Sequence, residues 1–225
     1  MKPWPELSQL PPDTLTPPIY QWERLAREDI AQVCAHFRRW YPDITVGSAR
    51  YFCDEHFYAT RVCLAGEDDR DVIVFIARHA GEMVAAVALE KNPDNNVLYN
   101  RVGACDPAHR GTGASGFMLY IMDALAVHMG FAMVWNIVTL KSRAAQRLIE
   151  RADYEPVGIV PYSDRELNAG GAVTHVSEII YVKLFKTPVP LSPISTENMT
   201  DKVRALWHSL EGQAARLGWL TGKPD

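Results

Sequence analysis

The 225-residue chain is short of cysteine: Cys34, Cys53, Cys63 and Cys105 form no C-x-x-C pair and have no metal-ligand spacing. That excludes a zinc-ribbon framework and reads as free thiols buried in a reducing compartment, with no metal expected. No apolar run approaches the roughly 18 residues needed to cross a bilayer. The opening Met1-Lys2-Pro3-Trp4-Pro5-Glu6 has no apolar core for a secretory signal. Excess basic charge is absent too: the formal net charge is -4, which argues against a nucleic-acid partner although a local basic patch could survive that balance. What remains is an ordinary globular composition, 48% apolar and 22% charged, in a chain long enough for one domain with a sizeable core plus extensions. The expectation is a soluble cytoplasmic protein with no membrane association.

Periodicity divides the chain into three parts. Residues 1–17 carry Pro3, Pro5, Pro11, Pro12 and Pro17 without apolar periodicity, an extended arm that lies on the surface or reaches a partner subunit, so a homodimer is one option. Residues 18–186 carry the elements of a domain. Tyr20 and Trp22 alternate with polar residues as in a short strand, and Ile30, Val33, Cys34, Phe37 and Trp40 form one helical face closed by Pro42. A second helix is expected from an N-cap at Ser48 to Tyr58. Strands at 71–78, 83–89 and 97–105 are joined by His79-Ala80-Gly81-Glu82 and Asn92-Pro93-Asp94-Asn95-Asn96, links short enough to make an antiparallel meander.

The pattern then changes. A helix is expected from Ala114 to Met129, ended by Gly130, before an apolar strand at 131–138 interrupted by Asn136. Ser142 caps a helix whose inner face is Ala145, Leu148, Ile149 and Ala152. Strands at 154–160 and 176–185 follow, joined by a polar loop containing Gly170-Gly171. Residues 187–225 comprise a proline-containing linker and a helix from Met199 to Leu217, with Val203, Leu206, Trp207, Leu210 and Ala214 on one face.

The stretch His109-Arg110-Gly111-Thr112-Gly113-Ala114-Ser115-Gly116 fits two phosphate-binding templates. Gly111-x-Gly113-x-x-Gly116 matches a dinucleotide fingerprint; Arg110-x-x-Gly113-x-Ser115 is close to a coenzyme A pyrophosphate loop. Both let backbone N–H groups approach an anion at a helix start. The dinucleotide reading needs the glycines directly after a buried parallel strand, and an acid about 20 residues on to hold the ribose. Here Asp106-Pro107-Ala108-His109-Arg110 intervenes, three antiparallel strands come first, and Phe131 to Lys141 contains no acid. The bland reading is an ordinary tight turn between strand and helix.

The order of elements over residues 19–185 resembles the GNAT superfamily of N-acetyltransferases. Trp22 to Asp29 looks like that family's first strand and helix entry. Cys105-Asp106-Pro107-Ala108-His109-Arg110-Gly111-Thr112-Gly113 resembles its V-x-P-x-x-R-G-x-G signature. Ser142-x-x-Ala145-x-x-Leu148-Ile149 with Asp153-Tyr154 resembles its N-x-x-A-x-x-L-Y…G-F segment, and the last strand pair completes the set. The departures are Ser115 for Gly or Ala, Ser142 for Asn, Asp153-Tyr154 for Gly-Phe, and Ile149 where many members have the Tyr that protonates the leaving thiolate.

The resemblance implies an α/β fold with a mixed, mostly antiparallel sheet of about six or seven strands flanked by helices, plus an extra C-terminal helix. It also implies acetyl-CoA, or another acyl-CoA, as co-substrate and direct attack by a primary amine of a small molecule or amino-acid-like acceptor. Backbone groups of Arg110, Gly111, Thr112, Gly113, Ala114 and Ser115 would hold the pyrophosphate, those of Ala104 and Cys105 the pantetheine, and Ser142 could assist. The catalytic base is sought in Glu90 and Tyr99, which border the cleft; both residue types are as often surface or packing. Tyr162, Asp164, Arg165 and Glu166 are candidate acceptor contacts or a solvated loop. Cys105 has no His–acid partner evident in sequence and reads as a strand thiol; His109, beside the phosphate loop, reads as a solvated loop histidine or a further phosphate contact. Cys53-Asp54-Glu55-His56 is a solvated run, because adjacent helical residues point apart. Ile149 leaves open a non-catalytic acyl-CoA sensor or scaffold, and a protein N-terminus or lysine remains an alternative acceptor.

Overall fold

The computed structural model describes residues 2–186, 189, 192 and 194–216. Among them are eight strands: β1 (Gln21–Arg24), β2 (Val62–Cys63), β3 (Val72–His79), β4 (Glu82–Asn92), β5 (Val97–Cys105), β6 (Met133–Thr139), β7 (Glu155–Leu167) and β8 (Val173–Leu184). The α-helices are α1 (Ile30–Trp40), α2 (Glu55–Arg61), α3 (Gly116–Met129), α4 (Arg143–Glu150) and α5 (Asp201–Arg216). All strands join one sheet in the order β1-β3-β4-β5-β6-β8-β7, with β2 beside β3. Pairing is antiparallel except for β2–β3 and β5–β6. The mixed, mostly antiparallel architecture is the one expected, with the two-residue β2 as an addition.

The sheet is buried on both faces near its centre, so β3 and β4 read as continuous apolar runs. Alternation sends Ile73, Phe75 and Ala77 to one side, where they pack with Phe117, Leu125, Val134, Tyr154 and Tyr181 around α3 and α4. Val72, Val74 and Ile76 point to the other side and meet Phe37, Trp40, Phe52 and Tyr58 around α1 and α2. Buried on nearly every side, α3 lacks the single apolar stripe of α1; nine of its residues are buried, from Phe117 to Met129.

Several elements differ from expectation. Ser48 is not an N-cap: Ser48–Cys53 is a 3-10 turn and α2 starts after Asp54, whose carboxylate accepts the His56 N–H. The Ser48 N–H and hydroxyl go instead to Asp164, each at 2.8 Å. The polar stretch after Val160 is not loop; β7 continues to Leu167 through a bulge between Val160 and Asp164, leaving only 168–172 as the turn. The bulge breaks the period-2 pattern that marks a strand in sequence, and Tyr162 within it has φ 55°. The helix expected from Ala114 begins at Gly116, and 114–115 belong to the turn before it. In α5, Val203 and Leu206 are exposed while Trp207 is buried. Arg216 pairs with Glu155 of β7. Leu217 and residues 187, 188, 190, 191 and 193 of the linker lie outside the described residues.

The N-terminal arm lies on its own domain. Trp4 and Leu10 are buried in the core that contains Tyr20 and Phe117. The Trp4 indole donates to the Arg70 carbonyl at 2.6 Å, and Lys91 Nζ sits 5.1 Å from the ring centroid. Further along, the Tyr120 hydroxyl donates to the Pro11 carbonyl.

Candidate active site

The parallel pairing of β5 and β6 is brief: it runs from Val97 opposite Met133 to Asn100 opposite Asn136 and stops. Past that point β5 stays paired with β4 as far as Cys105, and β6 stays paired with β8 as far as Thr139. The two strands therefore part, and among the described residues the β5 edge from Arg101 to Cys105 has no strand beside it on the β6 side. A cleft of about 900 Å³ occupies the gap. Met118, Leu119 and Met122 of α3 and Ala145, Leu148 and Ile149 of α4 line one end of it. Tyr41, Ile44, Ser48, Tyr99, Trp135 and Glu178 line the other, on the α1/α2 side of the sheet.

The glycine loop lies between the free β5 edge and α3. Asp106 starts it, accepting the Ala108 N–H at 2.9 Å; this bond, with support from Trp40 and Arg39, holds its carboxyl below the usual range. Gly111 and Gly113 have φ of 77° and 92°, the left-handed region where a side chain is strained. A Cβ on Gly113 would also stand 2.8 Å from the ring of Pro17. The result is a row of N–H groups, from Gly111 to Ser115, with no protein acceptor at hydrogen-bonding distance among the described residues. Free N–H groups at the start of a 14-residue helix form the kind of nest that can accept an anion.

The side chains around the loop brace it. The Arg110 guanidinium points away from the nest, donating to the carbonyls of Trp40 at 3.1 Å and Cys105 at 3.3 Å. The Tyr20 hydroxyl bonds both Thr112 Oγ1 at 2.6 Å and His109 Nδ1 at 3.1 Å. His109, expected as a solvated loop residue or a phosphate contact, is thus tied to Tyr20, the residue before β1. Ser142 caps α4 by accepting the Ala145 N–H at 3.2 Å. Ala104 is buried and Cys105 half-buried, both on the free edge of β5. Burial pushes the Cys105 thiol up to about 11, so it is not a ready thiolate.

Two struts roof the α1/α2 end of the cleft. One is Ser48 to Asp164; the other is Lys141, whose ammonium reaches Glu166 at 2.5 Å and Asp43 at 3.3 Å. The first requires Gly47, since a Cβ there would fall 2.6 Å from Asp164 Oδ1 and closer still to the Arg165 carbonyl. Inside, Tyr99 and Trp135 stack edge to face with centroids 6.1 Å apart. Glu90 also borders the cleft, but its carboxylate is taken by the Arg101 guanidinium.

Nothing in the sequence pattern singles out Glu178 as a cleft residue. It faces Thr139 of β6 and Val160 of β7, is half-buried, and accepts the Ser163 hydroxyl at 2.8 Å. Burial raises its carboxyl above the usual range. The signal available was a lone acid in the apolar run Val176-Ser177-Glu178-Ile179-Ile180. Among the described residues no cluster of His, Cys, Asp and Glu is arranged to hold a metal ion, and no helix is long and apolar enough to cross a membrane.

A splayed parallel pair with an anion nest at the following helix is the frame of an acyl-CoA acyltransferase. A sequence model of the acetyltransferase (GNAT) family matches residues 20–154, and the chain belongs to that family and is an acetyltransferase. Among solved structures, a mutant of the spermidine N-acetyltransferase of Vibrio cholerae superposes with a TM-score of 0.56 at 16% identity, over 73% of this chain and 93% of that one. The IAA acetyltransferase of Bacillus cereus superposes with a TM-score of 0.54 at 14% identity, over 74% of this chain and 99% of that one. At such identities the likeness is one of fold. No curated protein sequence matches the chain.

Proposed function

We propose that this chain transfers the acetyl group of acetyl-CoA to a primary amine of a small molecule or amino-acid-like acceptor, by direct attack. The observation that supports this best is the free edge of β5 running into the N–H nest at 111–115. A pantetheine arm can add to that edge as a strand does, leaving its pyrophosphate at the nest with the α3 dipole behind it. In this reading Ala104 and Cys105 hold the pantetheine, and an N–H of the same edge polarises the thioester carbonyl and stabilises the oxyanion. Arg110, Gly111, Thr112, Gly113, Ala114 and Ser115 act through their backbone, and Ser142 fixes α4 beside the thiol. Glu90 and Tyr99 line the acceptor half and contact the incoming amine. The division at 17/18 and 186/187 accompanies this reading, with the arm and C-terminal segment as supports of the catalytic domain.

Thermal-shift titration with acetyl-CoA and with NAD tests the ligand; free-thiol release with an amine panel that includes spermidine tests turnover. Stabilisation by acetyl-CoA and thiol release with at least one amine are expected. Stabilisation by NAD alone would overturn the proposal.

One observation favours a second reading. Ile149 is buried, lines the cleft, and stands where many relatives place the tyrosine acid. An aliphatic side chain donates no proton, so a chain that binds acyl-CoA without turnover, as a sensor or scaffold, is the rival. Binding of acetyl-CoA with no thiol release across the panel would select it.

A further inference from the structure

We propose that Glu178 is the catalytic base, taking the proton from the acceptor's ammonium group; the proposal rests on the acyltransferase reading above. Strand pairing puts Tyr99 beside Trp135, Ile137 beside Ile180, and Thr139 beside Glu178. Alternation then places Tyr99, Trp135, Ile137, Ile180 and Glu178 on a single face of the sheet. All five line the cleft. The opposite set, Leu98, Val134, Val138 and Tyr181, is packed in the core around α3 and α4. Glu178 therefore lies on the acceptor side of the sheet, the side from which an amine meets a thioester held at the β5 edge.

The other acids of the cleft are already engaged or too wet. Glu90 is paired with Arg101, and Glu166 with Lys141. Asp164 accepts from the Ser48 N–H and hydroxyl and from the Arg165 N–H. Asp71 and Asp94 are exposed at the β4–β5 turn end. Glu178 has the neutral Ser163 hydroxyl and no cation at ion-pair distance among the described residues. The charges facing it are Asp164 and Glu166 of β7, with Lys141 beyond Glu166 and Arg101 with Glu90 on the far wall. Burial first, and then these like charges, raise its proton affinity, and a more basic carboxylate is a better acceptor of an ammonium proton.

The protons balance. The acceptor enters as an ammonium ion and gives one proton to the Glu178 carboxylate, which passes it to solvent. The freed nitrogen lone pair forms the C–N bond to the acetyl carbon; the C–S bond breaks, and the second N–H proton leaves with the thiolate as the thiol.

The test uses the full chain with the best amine from the panel. Glu178→Gln should lower kcat by about 10²-fold or more, keep the KM for acetyl-CoA within about twofold, and remove the acid limb of the pH–rate profile. Ser163→Ala, at an exposed residue, removes the hydroxyl that favours the ionised form and should move that limb to higher pH. Wild-type kcat and an unmoved limb in Glu178→Gln overturn the proposal. Should that variant lose acetyl-CoA binding through misfolding, an unchanged profile in Ser163→Ala overturns it instead. A wild-type chain that binds acetyl-CoA and acetylates no amine overturns the acyltransferase reading itself, and this assignment with it.

Discussion

The Asn100 side-chain amide donates to the Asn136 side-chain carbonyl at 2.8 Å, across the last rung that joins β5 to β6. Beyond this pair the strands part, so two amides mark the vertex of the cleft. Asn136 is fully buried, and an apolar core tolerates it because the two side chains serve each other. Their remaining atoms, Asn100 Oδ1 and Asn136 Nδ2, are buried with no hydrogen-bond partner among the described residues.

Replacing Asn136 by Ala should therefore destabilise the fold by about 1–3 kcal/mol, since it strands the Asn100 amide in the interior. Urea denaturation of the variant against wild type measures this. Loss of acetyl-CoA affinity should be small by comparison, because neither amide belongs to the loop.

Gly111 and Gly113 separate two effects. Both have positive φ, and an alanine at either costs about 1–2 kcal/mol of backbone strain. At Gly113 the added Cβ also collides with Pro17, whereas at Gly111 it meets open space. Gly113→Ala should weaken acetyl-CoA binding at least tenfold and Gly111→Ala less, by isothermal titration.

Stability at Glu178 runs against activity. Its folded-state pKa is raised by burial, so its contribution to stability is fullest below its ordinary carboxylate range and is lost as pH rises through the folded value. Glu178→Gln should be more stable than wild type at pH 7, with the difference shrinking toward pH 4. Chemical denaturation at the two pH values checks the sign.

Asp106 has the opposite shift. Its pKa is lowered, first by the Ala108 N–H, so its stabilisation is present above its ordinary value and disappears as pH falls through the folded one. Asp106→Asn should flatten part of the acid limb of the stability curve, and should loosen the loop entry where Arg39 and Trp40 also bond this carboxylate.

Trp4 tests the arm. The side chain is 6% exposed and its indole N–H is bonded. Trp4→Ala should cost about 3–5 kcal/mol, read from the denaturation midpoint; a change near zero would mean the arm is detached in solution.

The sequence carried the sheet's centre plainly, because β3 and β4 are buried on both faces along most of their length and spell it in runs of Val, Ile, Ala, Phe and Leu. It carried the loop as well, since Gly111 and Gly113 occupy backbone conformations that favour glycine. Less of the acceptor half was legible. Ser48 looks like a helix cap until Asp164, 116 residues away, takes both its donors. Tyr162 to Glu166 look like a loop because a bulge hides the strand period. Glu178 is one acid in a strand, and only the pairing with Thr139 and Val160 turns it toward the cleft. The arm was hidden for another reason: prolines suppress periodicity, while the burial of Trp4 and Leu10 depends on surfaces made by residues far along the chain.

The insertion of β8 between β6 and β7 also orders events in time. Until residues 173–184 have left the ribosome, β7 has no neighbour to pair with, for its one partner in the sheet is β8. Strands β1 to β6, with α3 and the glycine loop, can assemble before then. The nascent chain would thus hold its glycine loop while the wall bearing Glu178 is still being made, and a protein stalled or cut before residue 173 would be left with the loop and the β5 edge but no β8 to complete the cleft.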